Sequence, residues 1–130
     1  MALAKRIKIG GSYYKGEKCV VGAGAGDYTV VITTPTGAAV NSISITPSAY
    51  GAGDTMKIEH FDDLLGAGEL LAILMEGVYN TGARATTNLD FPAAELLNKG
   101  ECLVFTYTNV AGVAMDIYLT IEFVGIKKTT

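Results

Sequence analysis

Residues 113–125 read VAMDIYLTIEFVG, and the alternation in this stretch decides the fold. Met115, Ile117, Leu119, Ile121 and Phe123 fall on one face, with Asp116, Tyr118, Thr120 and Glu122 on the other. This period of two marks a half-buried strand, because successive side chains point to opposite faces of a sheet. Residues 101–109, ECLVFTYTN, repeat the pattern with Leu103, Phe105 and Tyr107, and the link NVAGV at 109–113 holds the Asn and Gly of a turn. The two segments are expected to form a long antiparallel hairpin. Weaker alternation appears in LAKRIKI (3–9), VNSISIT (40–46) and TMKIEHF (55–61), and Val and Thr concentrate in DYTVVITT (27–34).

Glycine followed by an acid recurs at Gly16-Glu17, Gly26-Asp27, Gly53-Asp54, Gly68-Glu69 and Gly100-Glu101, each pair just before a β-branched or apolar run. Glycine supplies positive φ and the acid keeps a loop tip wet, so these pairs read as turn stops. With TPTG, TPS and NTG elsewhere they divide the chain into about eight strands. Residues 91–100, FPAAELLNKG, carry Asp90 as an N-cap and Gly100 at the C′ position, which predicts one short helix near 91–99 or a compact loop. In DDLLGAGELLAILMEGVYN (62–80) the run Leu70–Met75 suits a buried helix or a buried strand. Gly66, Gly68 and Gly77 would each cost a helix about 1 kcal/mol relative to Ala, so 69–79 is read as a fully buried strand. The chain is thus expected to be all-β, an antiparallel two-sheet sandwich of the jelly-roll type. Its 130 residues suit one domain, with 1–15 as a basic N-terminal arm or edge strand and 127–130 as a short basic tail.

Charge is unevenly distributed. Five cations, Lys5, Arg6, Lys8, Lys15 and Lys18, against Glu17 give residues 1–18 a charge of +4, and Lys127 and Lys128 add +2. Residues 19–126 hold three cations against twelve acids, −9, which brings the whole chain to −3. Basic extremities on an acidic body are expected to seek acidic protein surface, whereas the body repels phosphate, so a nucleic-acid partner is not expected. The longest apolar run falls far short of the ~20 residues of a membrane helix, so no membrane partner is expected. The N-terminus has its charges too early for a secretory signal, which predicts synthesis in a host cytoplasm without export. Cys19 and Cys102 lie in apolar surroundings and are read as reduced core thiols.

Catalytic chemistry is hard to assemble from these residues. In VVGAGAGDYTVVI (20–32) the glycines at 22, 24 and 26 resemble a dinucleotide turn, yet strand follows where the pyrophosphate needs a helix N-terminus, and Asp27 would oppose its charge. The stretch is therefore a loop between two strands, and no cofactor is expected. His60, the one histidine, stands beside Glu59, Asp62 and Asp63; it is read as a strand end at a solvated acidic corner, against a weak calcium site built from those carboxylates. Multi-histidine metal sites are excluded. Serines 12, 42, 44 and 48 lack a nucleophile-elbow setting, and no tryptophan is present to stack sugars. The chain is expected not to be an enzyme. Tyr13 and Tyr14 in GGSYYKGEK (10–18) suit an interface, since tyrosine covers apolar area and keeps a hydroxyl for the wet rim, or equally are two tyrosines straddling a strand edge. With Lys5, Arg6, Lys8, Lys15, Lys18, Lys127 and Lys128 they form the candidate capsid or subunit interface.

The AGD and AGE turns, the PAAELLN segment (92–98) and the paired ECLVFTYTN and DIYLTIEFV strands together resemble the small jelly-roll decoration or cement proteins of tailed-bacteriophage capsids, over residues 17–126. That resemblance implies a homo-oligomer, dimer or trimer, bound to the major capsid protein on the outer surface of the virion and stabilising its shell, with no catalytic residues. The alternative is a carbohydrate- or receptor-binding β-sandwich of a viral adhesion structure.

Overall fold

A computed structural model describes residues 12–34 and 36–125. They form eight strands: β1 (Ser12–Val21), β2 (Gly26–Ile32), β3 (Ala38–Pro47), β4 (Thr55–Phe61), β5 (Leu70–Tyr79), β6 (Thr87–Leu97), β7 (Cys102–Asn109) and β8 (Met115–Gly125). One sheet runs β1-β8-β3-β6 and the other β2-β7-β4-β5, with every pairing antiparallel. Consecutive strands lie in opposite sheets except β4 and β5, which are hydrogen-bonded neighbours. Two four-stranded sheets interleaved in this way are the jelly roll.

The core lies between the sheets and is built by alternation. Cys19 and Val21 from β1, Met56 and Ile58 from β4, Leu103, Phe105 and Tyr107 from β7, and Met115 through Phe123 at odd positions of β8 are all buried. In β3 the buried parity switches from Ala38 and Val40 to Ile43 and Ile45, because a bulge between Val40 and Ser42 inserts a residue against β8. Glu122 receives the polar groups that this bulge frees, Asn41 Nδ2 at 3.2 Å and Ser42 Oγ at 3.1 Å.

Four expectations need correction. The segments 101–109 and 115–123 are strands but do not form a hairpin with each other: β7 pairs with β2 and β4, and β8 with β1 and β3. Alternation reveals which face is buried and not which strand lies alongside, and the link at 109–113 crosses between sheets. Asp54 holds that crossing, its Oδ1 accepting from the N–H groups of Val110 and Ala111 at 2.7 and 2.9 Å. The helix near 91–99 is absent; the segment belongs to β6. Its register jumps from Glu95 opposite Val40 to Asp90 opposite Ser42, so Pro92 falls in a bulge of an edge strand, where its missing N–H breaks no ladder bond. Residues 69–79 are a strand, but an edge strand exposed along most of its length rather than a buried one. Finally, Gly16-Glu17 lies inside β1, opposite Thr120 and Leu119, whereas the other four glycine–acid pairs do stand at strand starts.

The glycine-rich stretch at 22–25 is a turn between β1 and β2, strand to strand, as the sequence implies. Cys19 and Cys102 are free and buried, and burial pushes the Cys19 thiol up to about 11.

Candidate functional site

The sequence places His60 among the acids of its own neighbourhood; the fold gives it different partners. His60 ends β4 on its core-facing side, is 3% exposed, and lies between two carboxylates from elsewhere in the chain. Its Nδ1 is 2.8 Å from Glu95 Oε2 and its Nε2 is 2.8 Å from Glu101 Oε1. Glu95 belongs to β6 in the other sheet, so the imidazole ties the two layers together at one end of the sandwich. Burial raises the Glu101 pKa, but hydrogen bonds from the Asn98 N–H and from His60, together with the ring's charge, outweigh it and hold the carboxyl below its ordinary range. This corrects the reading of His60 as a solvated corner: it is a buried cross-sheet clasp with both ring nitrogens engaged.

Asp62 and Asp63 are employed differently again. Asp63 accepts from the N–H groups of Leu65 (3.3 Å), Ala67 (3.1 Å) and Gly68 (2.9 Å), and Asp62 accepts from Glu69 N–H at 2.7 Å. These bonds, led by that from Gly68, lower the Asp63 pKa against a smaller opposing effect of burial. The two carboxylates thus serve as internal caps for the loop between β4 and β5. Among the described residues no group of three or more metal-ligating side chains is gathered.

That loop folds back over the outer face of β7. A Cβ at Gly66, which has φ +76°, would lie 2.6 Å from Val104 Cγ2, and the loop explains why β7 is buried on both faces, Val104 included. With its backbone fixed from within, the loop turns two leucines outward: Leu64 is 52% and Leu65 80% exposed. Leu70, Leu71 and Ile73, at the start of β5, are exposed as well. They show on both sides of the strand because bulges between Met56 and Ile58, Ile58 and Glu59, and His60 and Phe61 break the alternation. Exposed large apolar side chains that stand close together in the chain are the kind of surface that marks an interaction site. Sequence reasoning missed it. The run Leu70–Met75 reads as core by its hydrophobicity, and the signal for the exposed surface is the double leucine between two aspartates and two glycines.

Of the predicted interface residues, Tyr13, Tyr14, Lys15 and Lys18 lie on β1, an edge strand. Tyr13 stacks on Phe123 with ring centroids 5.4 Å apart, and Tyr14 is 68% exposed on the opposite face. Lys15 Nζ donates to the Thr33 carbonyl at 3.0 Å and pairs with Glu17 at 3.3 Å, and Lys18 is exposed. Lys5, Arg6, Lys8, Lys127 and Lys128 lie outside the described residues. Near the two ends of the described chain, Ser12 and Val124 are paired neighbours at one end of the sandwich. Lys15 and Leu64 line one cleft, so the basic extremities join the body at the end that displays the leucine loop.

No family model and no curated protein matches the chain. Among solved structures it is similar to tomato aspermy virus, at 12% identity and TM-score 0.45 over 92% of this chain and 80% of that one. It is likewise similar to the Drosophila NLP core, a structure concerned with pentamer formation and histone binding, at 11% identity and TM-score 0.41 over 88% and 99% of the two chains. Infectious bursal disease virus, Gt strain, follows at 9% identity and TM-score 0.45, covering 88% of this chain and 32% of the other. Likenesses this distant concern the β-sandwich alone, and the jelly-roll assignment rests on the strand order itself.

Proposed function

We propose that this chain is a structural virion protein, a decoration or cement protein that binds the outer surface of a bacteriophage capsid through its major capsid protein, as a homo-oligomer, and stabilises the shell without catalysis. One observation carries the reading: the exposed Leu64–Leu65 loop and the attachment points of both basic segments share one end of a rigid sandwich. An apolar anchor beside positive charge suits an acidic protein surface, with the leucines supplying buried area and the charges steering and register. Repetition of identical sites on a shell multiplies the effect of a small contact. Attachment through an anchor needs no reactive group, and His60 supports that view because carboxylates occupy both of its nitrogens away from solvent.

The test is co-sedimentation with capsid shells. Wild-type protein is expected to pellet with shells, less so as salt rises and exposed charges are screened. The Leu64→Ser/Leu65→Ser variant is expected to keep the melting temperature of the parent and to lose at least tenfold in shell affinity, about 1.4 kcal/mol, a modest share of what burying two leucines yields. A soluble monomer indifferent to shells, or a variant that binds as the parent does, contradicts the proposal.

A further inference from the structure

The edge strands β1 and β2 come together and close one side of the sandwich, whereas β5 and β6, the edges of the other side, do not approach as closely. Among the described residues the core is covered at that open side by partly buried Leu74 and Val78 from β5 and Leu89 and Phe91 from β6. Ile73 and Leu96 are exposed beside it. The His60 clasp brings these two edges to one level, because His60 pairs with Ala72 in register and bonds to Glu95. We propose that the open side receives residues 3–9 of a second copy, so that exchanged arms hold the homo-oligomer. The inference rests on the oligomer of the proposed function and names its contact.

Charge and pattern select this occupant. β5 and β6 carry Glu76, Asp90 and Glu95 and no lysine or arginine. LAKRIKI (3–9) carries Lys5, Arg6 and Lys8 and no acid, with Leu3, Ile7 and Ile9 spaced as the apolar face of a strand. Such a segment brings apolar side chains to the open core and cations to its rim, whereas the same side of a second body would set acid against acid. β5 also lacks the lysines of β1 and the proline of β6, the devices that guard an edge. Because β5 is bulged against β4, side-chain burial rather than a long ladder holds the segment. Reach makes the contact intermolecular. The register carries Ser12 through Val124 and Ala39 to Leu96 in one row across the sheet, three strand spacings or about 14 Å. Gly10 and Gly11 leave three Cα steps from Ser12 to Ile9, at most about 11 Å, so a chain cannot lay all three apolar residues on its own open side. Ser12 and the open side stand at opposite edges of the sheet, so the contact runs head to tail and closes as a ring.

The experiment measures the native mass of the full chain by light scattering, without shells, across micromolar concentrations. The parent protein is expected to form one closed oligomer. Lys5→Glu/Lys8→Glu and, separately, Glu76→Lys/Asp90→Lys are each expected to weaken assembly about tenfold while the melting temperature of the folded body stays within a few degrees of the parent. The combination of both pairs is expected to recover assembly, which a merely structural effect of either pair does not do. In a mixture of an unlabelled Ile7→Cys chain and an isotope-labelled Ile73→Cys chain, a short bismaleimide is expected to join light chain to heavy. A monomeric parent, an oligomer indifferent to both charge reversals, a combination that fails to recover, or a mixture without light–heavy links would each overturn the proposal. Because Leu64→Ser/Leu65→Ser tests attachment to shells and these variants test assembly in their absence, failure of one proposal is distinguishable from failure of the other.

Discussion

Replacing Gly66 by alanine tests whether the leucine loop is built by its docking on β7. Two penalties arise. The residue sits at φ +76°, where a Cβ costs roughly 1 kcal/mol. The new Cβ would also fall 2.6 Å from Val104 Cγ2, and Val104, being β-branched and packed beneath the loop, yields only by leaving its rotamer, at about 0.5–1.5 kcal/mol. The sum is about 2 kcal/mol, which for a chain of this size lowers the melting temperature by roughly 6–10 °C. The loop can also escape by lifting off, so amide exchange should accelerate selectively at Leu65, Ala67, Gly68 and Glu69, whose N–H groups the two aspartates hold, while β7 stays protected. Val104→Ala removes the opposing methyl. In the double variant the steric share, about 1 kcal/mol, should be recovered as a coupling energy while the φ penalty remains. A Gly66→Ala protein with parental stability and loop exchange, or a cycle without coupling, would refute this account of the loop.

Further predictions follow from the buried polar groups. Asp54 is fully buried and accepts from Tyr107 Oη at 2.6 Å as well as from the two N–H groups of the crossing between sheets; Asp54→Ala strands the buried Tyr107 hydroxyl and frees two part-buried N–H groups, and should cost about 2–4 kcal/mol by denaturant unfolding. Gly51→Ala should be comparably damaging, because its Cβ would coincide with the Asp54 carboxylate. The depressed Glu101 pKa means that the unfolded chain binds more protons through the acid range. Its stabilisation is therefore complete above the ordinary glutamate pKa and is lost as pH falls through the lower folded value. Glu101→Gln should flatten acid unfolding in that window, measured as the urea midpoint against pH.

How much of this was legible beforehand depended on what each residue encodes locally. Alternation in β8, β7 and β4 disclosed the strands and their buried faces, because Met115 to Phe123 obey the period of two without interruption. Strand partnership was not legible: the Asn and Gly at 109–113 suit a hairpin turn and a crossing between sheets equally, and Asp54, 55 positions before Asn109, settles which it is. Bulges were hidden as well. At 91–94 a bulged edge strand mimics a capped helix, since both tolerate Pro92. In β5 three register shifts expose leucines that a regular strand would have buried on one side. His60 illustrates the same limit at the site, for its neighbours in sequence cap a loop while its partners in space stand 35 and 41 positions away.

The central claim is that this jelly roll works by being held on a shell. Its most direct test is the copy number of the chain in density-purified virus particles, measured by quantitative mass spectrometry against the major capsid protein. The account predicts a fixed stoichiometric ratio that survives gradient purification at low salt and falls when salt is raised. Particles that carry none of the chain, while it is recovered as a free soluble protein, would contradict it.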